Sequence, residues 1–387
     1  MIGLKSFRRI TSSNNFIPEI DGLRFIAIIT VVFLHTNTNF KRVYADSIPS
    51  EYLNSWIDTL FKTSGIGVDI FFTISGFILG LPFAKYYLLG ERKVNIKNYF
   101  IRRLTRLEPP YLISLFILFV TYTWFFGESW IELFDNLIAS IFYSHFLIYG
   151  EWNSINPVTW SLETEVQFYI LAPLISFLVF VKNTKLRRFL IPAAIVLLDV
   201  TVPYIKSSLV DYNLQKSIVV YLHSFLVGFA FVDLFLFGLD KIKKSYWLDI
   251  LGCISFVVIY SFHPDVVKYE RLFFDMAVFT LFISVFKGKL FNYIFTREFI
   301  VVVGGMCYTI YLLHYPVLFV VMKFFSKLNI TGFVPNIIAN FTVAIIALLA
   351  VSAVFFKLVE QPCMDKNWPT KFRDYFKKRL FTSNDKS

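Results

Sequence analysis

The strongest constraint on this chain is the grouping of its apolar residues into ten long runs, at 20–38, 67–84, 110–127, 160–181, 189–205, 217–237, 247–262, 271–286, 299–322 and 336–357. A bilayer offers no water to backbone N–H and C=O groups, so runs of this length fold as helices that satisfy their own hydrogen bonds. Of the 387 residues, 56% are hydrophobic and 17% charged, and mean hydropathy is +0.61, which excludes a soluble domain of this size. The fold class expected is all-α: a polytopic helical membrane protein with about ten transmembrane helices. Asp21 and Arg24 lie in the first run, so it is expected to remain as a helix rather than be cleaved as a signal. Cys253, Cys307 and Cys363 lack ligand spacing, so neither a disulfide framework nor a metal site is expected.

A formal net charge of +11 would suit a polyanion, but its distribution fits a membrane and not nucleic acid. With a cytoplasmic N-terminus, 28 of the 38 Lys and Arg fall in cytoplasmic segments. The same asymmetry decides the segment Asp135–Tyr149. A crossing there would carry Lys182, Lys185, Arg187 and Arg188 outside, so a re-entrant or interfacial element on the outer face is expected. The chain then reads as one membrane domain, 20–358, in the cytoplasmic (inner) membrane. A cytoplasmic segment, 1–19, precedes it, and a basic cytoplasmic tail, 359–387, lies against anionic lipid. The loop Asn39–Gly65 is polar and aromatic and suits part of an acceptor site.

Arg24 and His35 are the first residues that suggest chemistry. They are eleven apart, about three helical turns, so both occupy one face roughly 16 Å apart along the axis. Ionisable groups are costly inside a bilayer and mark a pathway or a reaction site. A neutral imidazole can take a proton from a hydroxyl nucleophile. Arg102, Arg103 and Arg106 precede the third run; planar guanidinium forks suit phosphate, although paired basic residues before a span also serve topology. The Arg-Leu-Glu-Pro-Pro-Tyr run that follows is expected to turn the chain sharply at the helix mouth. Asp69, in an apolar run, needs a partner, and Arg24 or His35 is the expected one.

Asn156–Pro173 crowds Trp160, Ser161, Glu163, Glu165, Gln167 and Tyr169 into the start of the fourth run. An aromatic belt accounts for Trp160 and Tyr169 but not for two carboxylates and a glutamine. Glu165 is expected to orient an imidazole or bind an acceptor sugar. Tyr308, Tyr311 and Tyr315 form a polar stripe with His314 beside them; His314 alone reads more readily as a packed, hydrogen-bonded residue. Asp199, Asp233 and Asp275 read as lone carboxylates, and Asn329-Ile330-Thr331 fits a glycosylation sequon.

In order along the chain, DGLRFIAIITVVFLH, GVDIFFTISGFI, RRLTRLEPPY, TWSLETEVQFYILAPL, YTIYLLHYPV and VEQP resemble the successive signatures of the acyltransferase-3 family of integral membrane acyltransferases. The resemblance implies transfer of an acyl group, acetyl above all, from cytoplasmic acyl-CoA to a hydroxyl of an extracytoplasmic glycan such as O-antigen, exopolysaccharide or peptidoglycan. It places Arg24 and His35 as the essential arginine–histidine pair, Arg103 and Arg106 as the basic motif, and Trp160, Ser161 and Glu165 as the Trp-Ser-Leu-x-x-Glu motif. No bound cofactor is expected; acyl-CoA is the donor substrate.

His35 is expected as general base, with Asp69 or Glu165 orienting it. Arg102, Arg103 and Arg106 are expected to hold the CoA phosphates, and Trp160, Ser161, Tyr169, Tyr308 and His314 to line the substrate site. Ser161 or Tyr308 is expected to hold the oxyanion. The resemblance implies that many relatives carry a C-terminal esterase-like domain; none is expected here, so transfer is expected to be direct or through a separate periplasmic partner. Gln361 stands where the family's closing motif has arginine. The alternative is a proton-coupled or lipid-linked glycan transporter using the same Arg, Asp and His as a relay, although no internal repeat supports it.

Overall fold

The computed structural model describes residues 4–10, 16–53, 55–208, 212–261, 270–328, 330–365 and 367–371. Asn329 of the sequon and most of the basic tail lie outside these residues. The helices are α1 (Pro18–Val43), α2 (Trp56–Thr63), α3 (Gly67–Leu89), α4 (Ile96–Phe125), α5 (Trp130–Ile141), α6 (His145–Tyr149), α7 (Trp160–Val179) and α8 (Thr184–Ser208), followed by α9 (Ile218–Phe237), α10 (Tyr246–Ser261), α11 (Glu270–Lys287), α12 (Lys289–Phe295), α13 (Glu298–Gly305), α14 (Cys307–Phe325) and α15 (Phe333–Phe355). No strand occurs among the described residues, and six helical segments are long and apolar enough to span a bilayer. The chain is an all-α, multi-pass membrane protein. Each of the ten apolar runs is helical over most of its described length, but the ninth is two helices: α13 ends at the Gly304–Gly305 pair and α14 begins after Met306.

Close backbone approach sets the interior. α1 packs on α3 along one side and on α13 and α14 along the other. α3 and α9 cross where Gly76 meets Phe225 and Gly228 meets Thr73; a Cβ on Gly228 would stand 2.2 Å from the Thr73 carbonyl oxygen. Helix contacts this tight need residues without side chains, because lipid gives apolar surfaces little reason to leave it. Stacked phenylalanines fill the space beside the crossing, with Phe168 on Phe225 at 3.9 Å and Phe180 on Phe229 at 5.0 Å.

The double proline does not turn the chain. α4 runs unbroken through Pro109 and Pro110, starting at Ile96 behind an Asn95 cap, fourteen residues before the apolar run. Pro109 cannot bond the carbonyl four residues back, Thr105, and Trp368 supplies the missing donor, its Nε1 reaching that oxygen at 2.8 Å. The segment expected to be re-entrant folds as α5 and α6, joined by a tight turn with Tyr143 at φ 53°. Tyr111, midway along α4, donates to the Ser140 carbonyl at 2.9 Å and stacks on Tyr143, so the tip of α5 reaches the middle of α4. In the first turn of α2, buried Asp58 takes Lys41 and Lys62, each at 2.7 Å, and Asn37 at 2.8 Å. Burial and the Asp58 charge push Tyr52 up to about 12, which keeps its hydroxyl a donor to Asn37.

Gly228→Ala is expected to destabilise the folded protein by about 1–3 kcal/mol, since neither backbone at the crossing can withdraw. A melting temperature in detergent equal to that of the unsubstituted protein would contradict the crossing.

Candidate active site

The α1–α14 contact brings two imidazoles together. Nδ1 of His35 lies 3.0 Å from Nε2 of His314, with ring centroids 4.9 Å apart. His314 is fully buried, and its Nδ1 faces the carbonyl oxygens of Tyr311 at 2.7 Å and Ile310 at 3.2 Å. Only a protonated Nδ1 satisfies those acceptors, so Nε2 of neutral His314 is itself an acceptor and Nδ1 of His35 must donate to it. The basic nitrogen of His35 is then Nε2. The partner that orients His35 is therefore His314, and neither Asp69 nor Glu165 bonds it. Asn39 locks the pair by donating to the His35 carbonyl at 2.9 Å and the Tyr315 carbonyl at 3.4 Å.

Behind His314 the polar stripe connects to the Trp-Ser segment. Tyr311 donates its hydroxyl to the Val158 carbonyl at 2.6 Å, and the Ser161 and Tyr311 hydroxyls are 3.0 Å apart. Pro316 cannot bond the Leu312 carbonyl, and Asn156 donates to that oxygen at 2.9 Å, tying the loop before α7 to α14. Tyr308 is committed to the Leu107 carbonyl at 2.9 Å. Ser161 and Tyr308 thus hold helices together and are not poised as free oxyanion donors. Trp160 lies apart from the dyad's bonds, beside Tyr221 and 4.5 Å from the Lys216 ammonium.

The three acidic and amide groups of α7 divide by role. Glu163, buried, accepts the Phe146 amide at 3.0 Å and caps α6. Gln167 accepts the Ile218 amide at 2.8 Å at the start of α9. Glu165 instead faces inward, accepting a short hydrogen bond from Ser75 and lying within electrostatic reach of Arg24 and Arg103.

At the opposite end of the Arg24–His35 face, guanidiniums converge. Arg24 pairs with buried Asp21, and Arg9 lies 3.5 Å from the same carboxylate. Arg103 stacks 3.9 Å over Tyr99 and 5.8 Å from the Tyr169 ring, and it donates to the Tyr99 carbonyl at 3.0 Å. Tyr99 in turn donates at 3.0 Å to the Tyr169 carbonyl, which Pro173 leaves open. Arg106 and Arg24 are within reach of the buried Glu360, which caps α14 through the Thr309 amide at 3.1 Å. Nε of Arg9 and Nε of Arg106 have no hydrogen-bond partner. Burial and the Arg24 charge pull Arg9 down to about 9, against the upward pull of Asp21. Four cations against Asp21, Glu165 and Glu360, with donors left over, make a site for an anion. Arg102 is exposed and outside the cluster, and Asp69 sits elsewhere, accepting from Ser224 of α9 at 3.0 Å.

Arg9, Asp21 and Glu360 were not singled out from the sequence. Arg9 belongs to a segment held in place when Gln361 donates to the Ser6 carbonyl at 2.8 Å and the Arg8 carbonyl at 3.0 Å. The signal for Asp21 and Glu360 was present: each is an acidic residue at the edge of an apolar run within three or four residues of a basic one.

A family model described as an acyltransferase domain matches residues 17–357. The chain is 27% identical over 392 residues to the O-acetyltransferase OatA of Staphylococcus aureus, covering 94% of this chain and 60% of that protein. It is 25% identical over 402 residues to the peptidoglycan O-acetyltransferase OatA of Listeria monocytogenes, covering 97% and 60%. The chain therefore spans about 60% of the length of these relatives. No solved structure matches the chain. From the geometry, Glu163→Ala is expected to leave buried amides of α6 unpaired and lose about 1–3 kcal/mol, whereas Arg102→Ala leaves stability unchanged. Equal melting temperatures for the two variants would contradict these placements.

Proposed function

Because the chain belongs to the acyltransferase-3 family of membrane acyltransferases, we propose that it moves an acetyl group from cytoplasmic acetyl-CoA to a hydroxyl of a cell-envelope glycan. The names of the relatives favour acetyl as the group and peptidoglycan as the acceptor class. In this reading the protein lies in the cytoplasmic membrane with both termini inside. The CoA phosphates meet Arg103 and Arg106, with Arg9 and Arg24 beside them, and the pantetheine arm extends along α1 toward His35. The observation that carries the proposal is the His35–His314 hydrogen bond, which leaves Nε2 of His35 unprotonated on the face that Arg24 shares.

The sugar hydroxyl gives its proton to Nε2 of His35 as its oxygen attacks the thioester carbon. The new C–O bond forms, the C–S bond breaks, and the departing CoA thiolate receives the proton from the imidazolium. His314 keeps the ring oriented and accepts from Nδ1–H throughout, as a positioning residue. Glu165 balances the arginines rather than the imidazole. The acceptor reaches His35 from the outer side, directly or on a partner transferase.

Membranes supplied with radiolabelled acetyl-CoA and peptidoglycan fragments are expected to yield labelled glycan. His35→Ala should abolish the label, and His314→Phe should lower kcat on the order of 10²–10⁴-fold, the range for general base catalysis and for loss of the correct tautomer. Wild-type turnover in either variant would remove the dyad from the mechanism. Arg103→Ala and Arg106→Ala are expected to raise KM for acetyl-CoA about tenfold or more, in line with loss of a charge-assisted contact, and to leave KM for the glycan unchanged. A rise in the glycan KM instead would move the donor site elsewhere.

A further inference from the structure

We propose that Asp199, His223 and Asp275 form a divalent-cation site, best suited to zinc, that ties α8, α9 and α11 together apart from the transfer dyad. The three side chains are buried at 2%, 1% and 3% exposure, and their donor atoms all lie within 4.8 Å of one another. Nδ1 of His223 is 2.7 Å from an Asp275 oxygen and 3.5 Å from an Asp199 oxygen. Both carboxylate oxygens of Asp199 are buried without a hydrogen-bond partner. A carboxylate so placed is strongly disfavoured unless something cationic meets it. Asp199 and Asp275 read as lone carboxylates from the sequence and His223 was not singled out, because each of the three sits on a different helix; no metal site was expected.

Charge balance points the same way. Asp69 borders the group through Ser224, at 3.0 Å, and Arg271 lies within electrostatic reach of Asp199 and Asp275. Among the described residues, three carboxylates against one guanidinium leave two negative charges when the imidazole is neutral, which one divalent ion cancels. The imidazole hydrogen-bonds Asp275 at 2.7 Å and reaches Asp199 only at 3.5 Å. One imidazole nitrogen and two carboxylate oxygens form a donor set that zinc accepts, at bond lengths of about 2.0–2.2 Å. Ligands at that radius stand roughly 3.3–3.5 Å apart, so the longer of the two His223 spacings already fits and the shorter must open by less than about 1 Å.

The test uses the full chain purified without a polyhistidine tag, stripped with EDTA, dialysed against zinc chloride and measured by elemental mass spectrometry. About one zinc per chain is expected, with a melting temperature several degrees above that of the stripped protein. Asp199→Asn and Asp275→Asn should each lose the retained zinc and the shift, while acetyl transfer by the zinc-loaded wild type still depends on His35. Wild-type protein that retains no zinc, or melts identically with EDTA and with zinc, overturns the proposal and assigns the cluster to bound protons. Stoichiometric zinc in Asp199→Asn overturns it as well. Should a variant fail to fold, the wild-type comparison decides alone.

Discussion

A carbonyl freed by proline inside a bilayer has no water to turn to, and much of this structure follows from how those carbonyls are met. Four prolines sit within α4, α7 and α14, and for Pro109, Pro173 and Pro316 a side chain from another element takes the oxygen that the proline leaves open. Trp368 takes Thr105, Tyr99 takes Tyr169 and Asn156 takes Leu312. Each bond joins elements distant in sequence, and each ends close to the groups read as functional. The Tyr99 bond places the ring over which Arg103 stacks. The Asn156 bond fixes the loop before Ser161 against the helix that carries His314.

The same economy of donors and acceptors orders the two ends of α1. At one end, successive hydrogen bonds from His35 to His314 and on to the Tyr311 carbonyl leave each nitrogen with a defined role. At the other, Asp21 and Glu360 hold guanidiniums without exhausting their donors. One helix thus carries His35 and Arg24 on one face, with α14 packed beside the imidazole and guanidiniums gathered at the other end.

The helical class and the apolar runs were legible because hydropathy reports directly on the bilayer. The shared face of Arg24 and His35 was legible because helical period is local. The partner of His35 was not, since His314 lies 279 positions away and only the α1–α14 packing joins them. The break at Met306 was hidden because the apolar run continues through Gly304 and Gly305, and what permits it is the Glu360 cap on the freed Thr309 amide. Pro109 and Pro110 were read as a turn because the donor that rescues the helix, Trp368, lies 263 residues beyond Thr105. Glu165 was singled out from the sequence and Glu163 was given no role; helical rotation sends Glu163 to α6 and Glu165 to the arginines.

The indole of Trp368 has a mechanical consequence. Its grip on Thr105 makes the turn of α4 that bears Arg103 and Arg106 a latched part rather than a free basic loop, with the latch supplied by residues just past the last membrane helix. Whatever tugs on that following stretch, a lipid surface or a neighbouring protein, pulls on the floor of the anion site. The geometry of the arginines is accordingly accessible to signals arriving at that end of the molecule, without any contact at the imidazoles.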